Sequence, residues 1–140
     1  MKRLTLLCSL AVGLAACGST SAPLQPATID MTGTWEVALN ASGVSPAYTQ
    51  WTLTQSGNSI TGKMGVSYYD GTFVHLYKDF GPASGTVSGA NYQITATGQG
   101  DFSGSARISG TQDGTKLSGT WVGVGANGNT ISGSFTGTKQ

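Results

Sequence analysis

Charge is what this sequence has least of. Asp, Glu, Lys and Arg together make up 9% of its 140 residues, against roughly 25% in ordinary soluble domains. Seven basic and six acidic side chains nearly cancel, for a formal +1, and no stripe of Lys or Arg runs through any segment. Electrostatic capture of nucleic acid therefore has nothing to work with. Histidine occurs once, as His75, and a metal site needs several ligands of the right type. Both cysteines, Cys8 and Cys17, lie near the N-terminus, so no disulfide can staple the rest of the chain internally. No apolar run reaches the ~20 residues that a membrane-crossing helix requires. No pair of carboxylates stands out for glycoside chemistry. The glycines open no helix, which excludes a phosphate-binding loop.

What the chain has instead is Gly, at 22 residues, together with abundant Ser and Thr and a spread of three Trp, five Tyr and four Phe. Aromatics distributed in this way separate it from disordered compositions. Its length suits one domain with a real core.

The N-terminus has its own logic. Met1-Lys2-Arg3 is a positive start, followed by a mostly apolar stretch over residues 4–16 that is too short to span a bilayer. Leu14-Ala15-Ala16-Cys17 closes it and resembles the lipobox of bacterial lipoproteins. The resemblance implies cleavage after Ala16 and lipidation of Cys17, with stable membrane attachment through two or more acyl chains. Residues 1–16 are then a signal peptide, and residues 17–29 a lipidated Cys with a flexible tether of small residues and Pro. Residues 30–140 form the folded domain. Gly18, rather than Asp, follows the Cys. By the same resemblance this implies the outer membrane, the alternative being the outer leaflet of the plasma membrane.

From Asp30 onward the pattern alternates with period two, the signature of strands. One module recurs: apolar, Ser or Thr, Gly, any residue, apolar. It reads Met31-Thr32-Gly33-Thr34-Trp35, Ile60-Thr61-Gly62-Lys63-Met64, Leu117-Ser118-Gly119-Thr120-Trp121 and Ile131-Ser132-Gly133-Ser134-Phe135. Two further copies, at Ala83 and at Phe102, are attributed to the abundance of Gly and Ser. Turn residues precede three copies, at Ser56-Gly57-Asn58, Asp113-Gly114-Thr115 and Asn127-Gly128-Asn129. Alternation puts the first, third and fifth residues of each module on one face, so both apolar side chains and the Gly point inward. An interior strand Gly weakens a strand. Its recurrence implies either strong coiling of the strands or room for a large side chain from across the core.

Strands are expected near 33–39, 48–55, 59–68, 72–78, 84–88, 91–98, 104–112, 116–122 and 130–137. Irregular loops are expected at 40–47, 69–71 and 79–82. Short turns imply antiparallel neighbours. The fold class is all-β: an antiparallel up-and-down barrel of about eight strands, with a β-sandwich as the alternative. Polar outward positions such as Glu36, Lys63 and Arg107 disfavour a membrane-spanning barrel.

The opening Gly33-Thr34-Trp35 resembles the start of avidin-type and lipocalin-type, calycin-like barrels, in which a Gly-x-Trp plugs one end. Ile60-Thr61-Gly62 after the Gly-Asn turn is similar to the second avidin hairpin. The resemblance covers about the first third of the chain. It implies a barrel able to hold a small ligand, but two departures limit it. Val37 stands where avidins place an Asn for biotin, and no His-Asp pair closes the chain, so biotin binding is not carried over. Lipocalins cross the Trp with a basic residue of the last strand, and Lys139 is the only candidate, poorly placed at the terminus.

His75, between Asp70 and Asp79, reads as a strand histidine among aromatics rather than as part of a nucleophile relay, and no catalytic residue, metal or cofactor is assigned. Candidate ligand or rim residues are Tyr48, Trp51, Tyr68, Tyr69, Phe73, His75, Tyr77 and Trp121. Tyr68-Tyr69-Asp70-Gly71-Thr72-Phe73 is the expected rim. The chain reads as a non-enzymatic, lipid-anchored envelope protein whose barrel takes a small hydrophobic ligand. The alternative is a filled core that works through its loops on an envelope protein or protease. Envelope lipoproteins resembling protease inhibitors exist on this barrel type, but usually with a disulfide that is absent here.

Overall fold

The computed structural model describes residues 22–68, 76–100 and 103–140, with Val44, Ser45, Tyr68 and Leu76 described through their backbone alone. These residues form eight strands: β1 (Gly33–Ala41), β2 (Val44–Ser56), β3 (Ser59–Tyr68), β4 (Leu76–Ser88), β5 (Asn91–Thr97), β6 (Gly104–Asp113), β7 (Lys116–Gly125) and β8 (Thr130–Lys139). Each pairs antiparallel with its neighbour in sequence. β8 returns to β1 in a ladder from Trp35↔Lys139 to Ala41↔Gly133. The sheet is therefore a closed up-and-down barrel, and no strand keeps an unpaired edge. That last ladder rules out the sandwich.

Two local expectations fail for identifiable reasons. Residues 76–78 of the strand expected at 72–78 and the strand expected at 84–88 belong to one strand, β4, while residues 72–75 and the loop expected at 69–71 lie outside the described residues. The Asp79-Phe80-Gly81-Pro82 stretch reads as a loop because of its Gly-Pro content, yet it stays in the sheet. Met64 pairs with Gly81 while Gly65 pairs with Asp79, so Phe80 is the extra residue of a β-bulge. Bulges and strand ends are where a sheet tolerates such residues. The expected loop over residues 40–47 is also mostly ladder. β1 and β2 remain paired to Ala41↔Val44, and the chain reverses at Ser42-Gly43, where Gly43 has φ +76°.

Inward positions build one core: Met31, Trp35, Val37, Trp51, Leu53, Ile60, Met64, Val87, Tyr92, Ile94, Ile108, Leu117 and Phe135 are all buried. Burying one such side chain fully contributes ~1.5–3 kcal/mol. The Ala83 module obeys the same phase, with Ala83 and Val87 buried on either side of Gly85, so its pattern is structural and not accidental.

The inward glycines are explained mainly by coiling. A Cβ on Gly62, Gly85, Gly119 or Gly133 would collide with the backbone carbonyl of Thr52, Gln93, Ser109 or Asn40 on the neighbouring strand. Room for a large side chain applies at Gly110 and Gly119, where Phe135 ring carbons would lie 2.9 Å from an added Cβ.

One end of the barrel is plugged. The Trp35 indole donates to the Met31 carbonyl at 2.9 Å. The chain before β1 is strapped across this end. Gln25 N donates to Ser88 Oγ, Thr28 N to Gly89 O, and Met31 N to Gln55 Oε1. Gln55 returns a hydrogen bond to the Ile29 carbonyl, and Asn58 donates to the Gln25 carbonyl. The segment read from sequence as tether is thus held to the barrel from Gln25 onward. Lys139, dismissed from sequence as too close to the terminus, sits with Nζ 5.3 Å from the Trp35 ring centroid. Antiparallel closure brings the last strand across the first, and its end arrives at the start of β1.

Candidate functional site

The barrel is filled at the strapped end and hollow at the other. Trp51, on β2, separates the two halves. Its ring lies 5.4 Å from that of Phe135, tilted by 59°, and Phe135 in turn lies 6.5 Å from Tyr92. Above this aromatic layer is a cavity of about 240 Å³. Its walls come from seven strands: Leu39 of β1, Thr49 and Trp51 of β2, Met64 and Val66 of β3, Phe80 of β4, Ala106 and Ile108 of β6, Trp121 and Val124 of β7, and Ile131 of β8. Ser103 and Ser105 border it where β6 begins.

Polar chemistry in this cavity is sparse. Thr49 is buried, and its hydroxyl faces the Val37 carbonyl at 3.4 Å. The Trp121 indole N–H is taken by the Ser134 carbonyl at 3.2 Å, so this ring offers the cavity an apolar surface. No Asp, Glu, Lys, Arg or His lines the space among the described residues. The described residues also hold no group of His, Cys, Asp and Glu able to bind a metal ion. Among the described residues, apolar Val124 and Ile131 stand at the lip, 39% and 42% exposed.

The sequence candidates divide. Trp51 and Trp121 line the cavity together. Tyr48 and Tyr77 do not line it. Thr49 and Trp51 face inward, so Tyr48 faces outward by alternation, against a separate hollow on the barrel wall shared with Glu36, Ala38 and Lys116. Tyr77 pairs with Ser67, one position out of phase with the inward Val66. It approaches Glu36 and Tyr48 from outside, and burial, followed by the Glu36 charge, pushes its phenol up. Tyr68 lies in β3 with only its backbone described, while Cys17, Tyr69, Phe73 and His75 lie outside the described residues.

Leu39, Val66, Phe80, Ala106, Ile108 and Ile131 are among the wall residues that sequence reasoning missed. The phase of Ile131 is legible in its module and that of Leu39 in the alternation that continues from Trp35; that they occupy the open end is not. Ile131, expected inside, is exposed because its inward face meets the mouth. Phe80 carried no signal, since only the bulge turns it inward.

No family model matches the chain, and no curated protein matches it. Among solved structures it is similar to bradavidin2 in complex with biotin, with a TM-score of 0.52 at 16% identity. The match covers 75% of this chain and 94% of that one. At that identity the likeness is one of fold, an avidin-like barrel.

Proposed function

We propose that this chain is a binding module, not an enzyme: a lipid-anchored envelope barrel that holds a small, uncharged, apolar ligand in its open half. The cavity carries this reading. A dry cavity of about 150 Å³ accepts benzene, so about 240 Å³ suits a molecule of one to two rings, somewhat below the usual range for drug-sized ligands. A buried charge without a partner is strongly disfavoured, and the described lining residues provide none. Bradavidin2 was solved with biotin. Biotin carries a carboxylate and a urea ring, and here Val37 is fully buried on the strand that carries Leu39, with no polar side chain in its place. The reading therefore keeps the barrel and changes the ligand class. Anchoring through Cys17, and placement in the outer membrane, rest on the lipobox and on Gly18.

The test is tryptophan fluorescence of the purified protein titrated with naphthalene, 2-naphthoate and biotin. Saturable quenching by naphthalene, with the two carboxylates at least tenfold weaker, is the expected result. No response to naphthalene, or a preference for biotin, overturns the reading.

A further inference from the structure

We propose that the ligand cavity opens away from the membrane that carries the anchor, so that its apolar ligand arrives from the facing compartment or surface and not from the host bilayer. This rests on the lipidation reading of Cys17 and on the cavity described above.

The argument is one of chain length. The strap leaves the barrel at its plugged end, where Gln25 is held through its N–H to Ser88 Oγ at 3.0 Å and through its carbonyl by Asn58 at 2.6 Å. Eight residue steps separate Cys17 from that clamp, and even fully extended they span at most ~26–29 Å. The ten-residue strands β7 and β8, tilted as barrel strands are, give a wall on the order of 25 Å tall. With the plugged end toward the bilayer, this segment needs no particular conformation. With the mouth toward the bilayer, it would have to run up the whole wall almost fully stretched and give up nearly all its conformational freedom. A second observation agrees. Among the described residues Leu24, beside the clamp, is the most exposed of the large apolar side chains at 51%, and it lies on the end assigned to the membrane. The exposed Val124 and Ile131 at the other end belong to the cavity lining, which gives them an apolar ligand to meet without a bilayer.

The experiment uses the full chain, processed in cells and reconstituted in vesicles of phosphatidylethanolamine and phosphatidylglycerol containing a headgroup-quencher lipid. Once Cys8 is cleaved away and Cys17 is acylated, a single new thiol can be labelled with a fluorophore. Thr115→Cys places it at the plugged end, and Ala126→Cys at the mouth. Quenching at least threefold stronger at position 115 than at 126 is expected, and it should vanish for both labels in a form that begins at Gly18 and carries neither Cys8 nor Cys17. Equal quenching, or stronger quenching at 126, overturns the orientation. Intact mass spectrometry separates the failures. An unacylated N-terminus overturns the anchor and this proposal with it, whereas naphthalene binding would persist and leave the cavity reading standing.

Discussion

Lys139 and Trp35, at opposite ends of the folded domain's sequence, meet with the Lys ammonium 5.3 Å from the indole centroid. Gly33 makes the approach feasible. It sits at φ +132°, and a Cβ there would stand 2.8 Å from Lys139 Cε. A cation over an indole face contributes ~0.5–1 kcal/mol at partly exposed sites and more when desolvated, and the Lys stem also covers the ring. Lys139→Ala should lower the midpoint of urea unfolding by the equivalent of about 1 kcal/mol, while Lys139→Arg retains most of the stability. An unchanged midpoint for the Ala variant would remove the contact from the list of stabilising features.

One side chain, Gln55, holds the last part of the strap before β1. Gln55 accepts from Met31 N at 2.8 Å and donates to the carbonyls of Ile29 and Gly57. Gln55→Ala leaves these groups without partners, at a cost of about 1–3 kcal/mol. Hydrogen exchange should show faster exchange at Met31 and Thr32 than in the unsubstituted chain, with the amides of β6 and β7 little changed.

Two glycines on the β7–β8 hairpin should answer oppositely to one methyl group. At Gly133 an added Cβ runs into the Asn40 carbonyl, a backbone atom that cannot step aside. Gly133→Ala is expected to cost about 2–3 kcal/mol or to prevent folding, as overpacking does. At Gly123 the nearest atoms are Trp121 Cζ3 at 3.2 Å and Ile131 Cγ2 at 3.5 Å, both side chains of the cavity wall. Gly123→Ala should fold with a circular dichroism spectrum like that of the unsubstituted chain and weaken naphthalene binding several-fold.

Filling the cavity should separate binding from folding. Ala106 lines the cavity and is partly buried, so Ala106→Phe projects a ring into existing space. Thermal stability should hold or rise, since filling a cavity restores lost contacts. Naphthalene quenching of tryptophan fluorescence should fall at least tenfold. Full retention of binding would place the ligand elsewhere.

Tyr92 gives the pH prediction. Its phenol is buried without a hydrogen-bond partner, and burial pushes its pKa well above the ordinary value of 10.0. In the unfolded chain the phenol ionises near that ordinary value, whereas in the fold it stays protonated. Above pH ~10 the unfolded state therefore releases a proton that the native state keeps, and stability falls as pH rises. Below that pH the group contributes no slope. Tyr92→Phe removes both the orphaned hydroxyl and this alkaline loss. It is expected to be neutral to about 1 kcal/mol stabilising at pH 7 and to flatten the stability curve between pH 10 and 11. Urea unfolding at three pH values measures both effects.

Alternation and turn chemistry are local properties, and they were enough to place the all-β class, the inward phase of Trp35, Trp51 and Phe135, and most of the strands, though not the start of β2 or the continuity of β4. The repeated glycine announced a geometric need, and its main cause, a neighbouring carbonyl where a Cβ would stand at Gly62, Gly85, Gly119 and Gly133, came from the coiling of the closed sheet. What local pattern could not carry was position along the barrel axis. Val66 and Val87 are equally inward, yet one borders empty space and the other is packed solid, because the shear of a closed sheet decides which inward residues share a layer. Closure likewise brought Lys139 onto Trp35, and a single bulge turned Phe80 into the wall. Tyr48 and Tyr77 read as rim residues from their type, but the register assigned them to the outer face. Which residues point in was written in the sequence; which of them meet a ligand depended on how eight strands stagger around one axis.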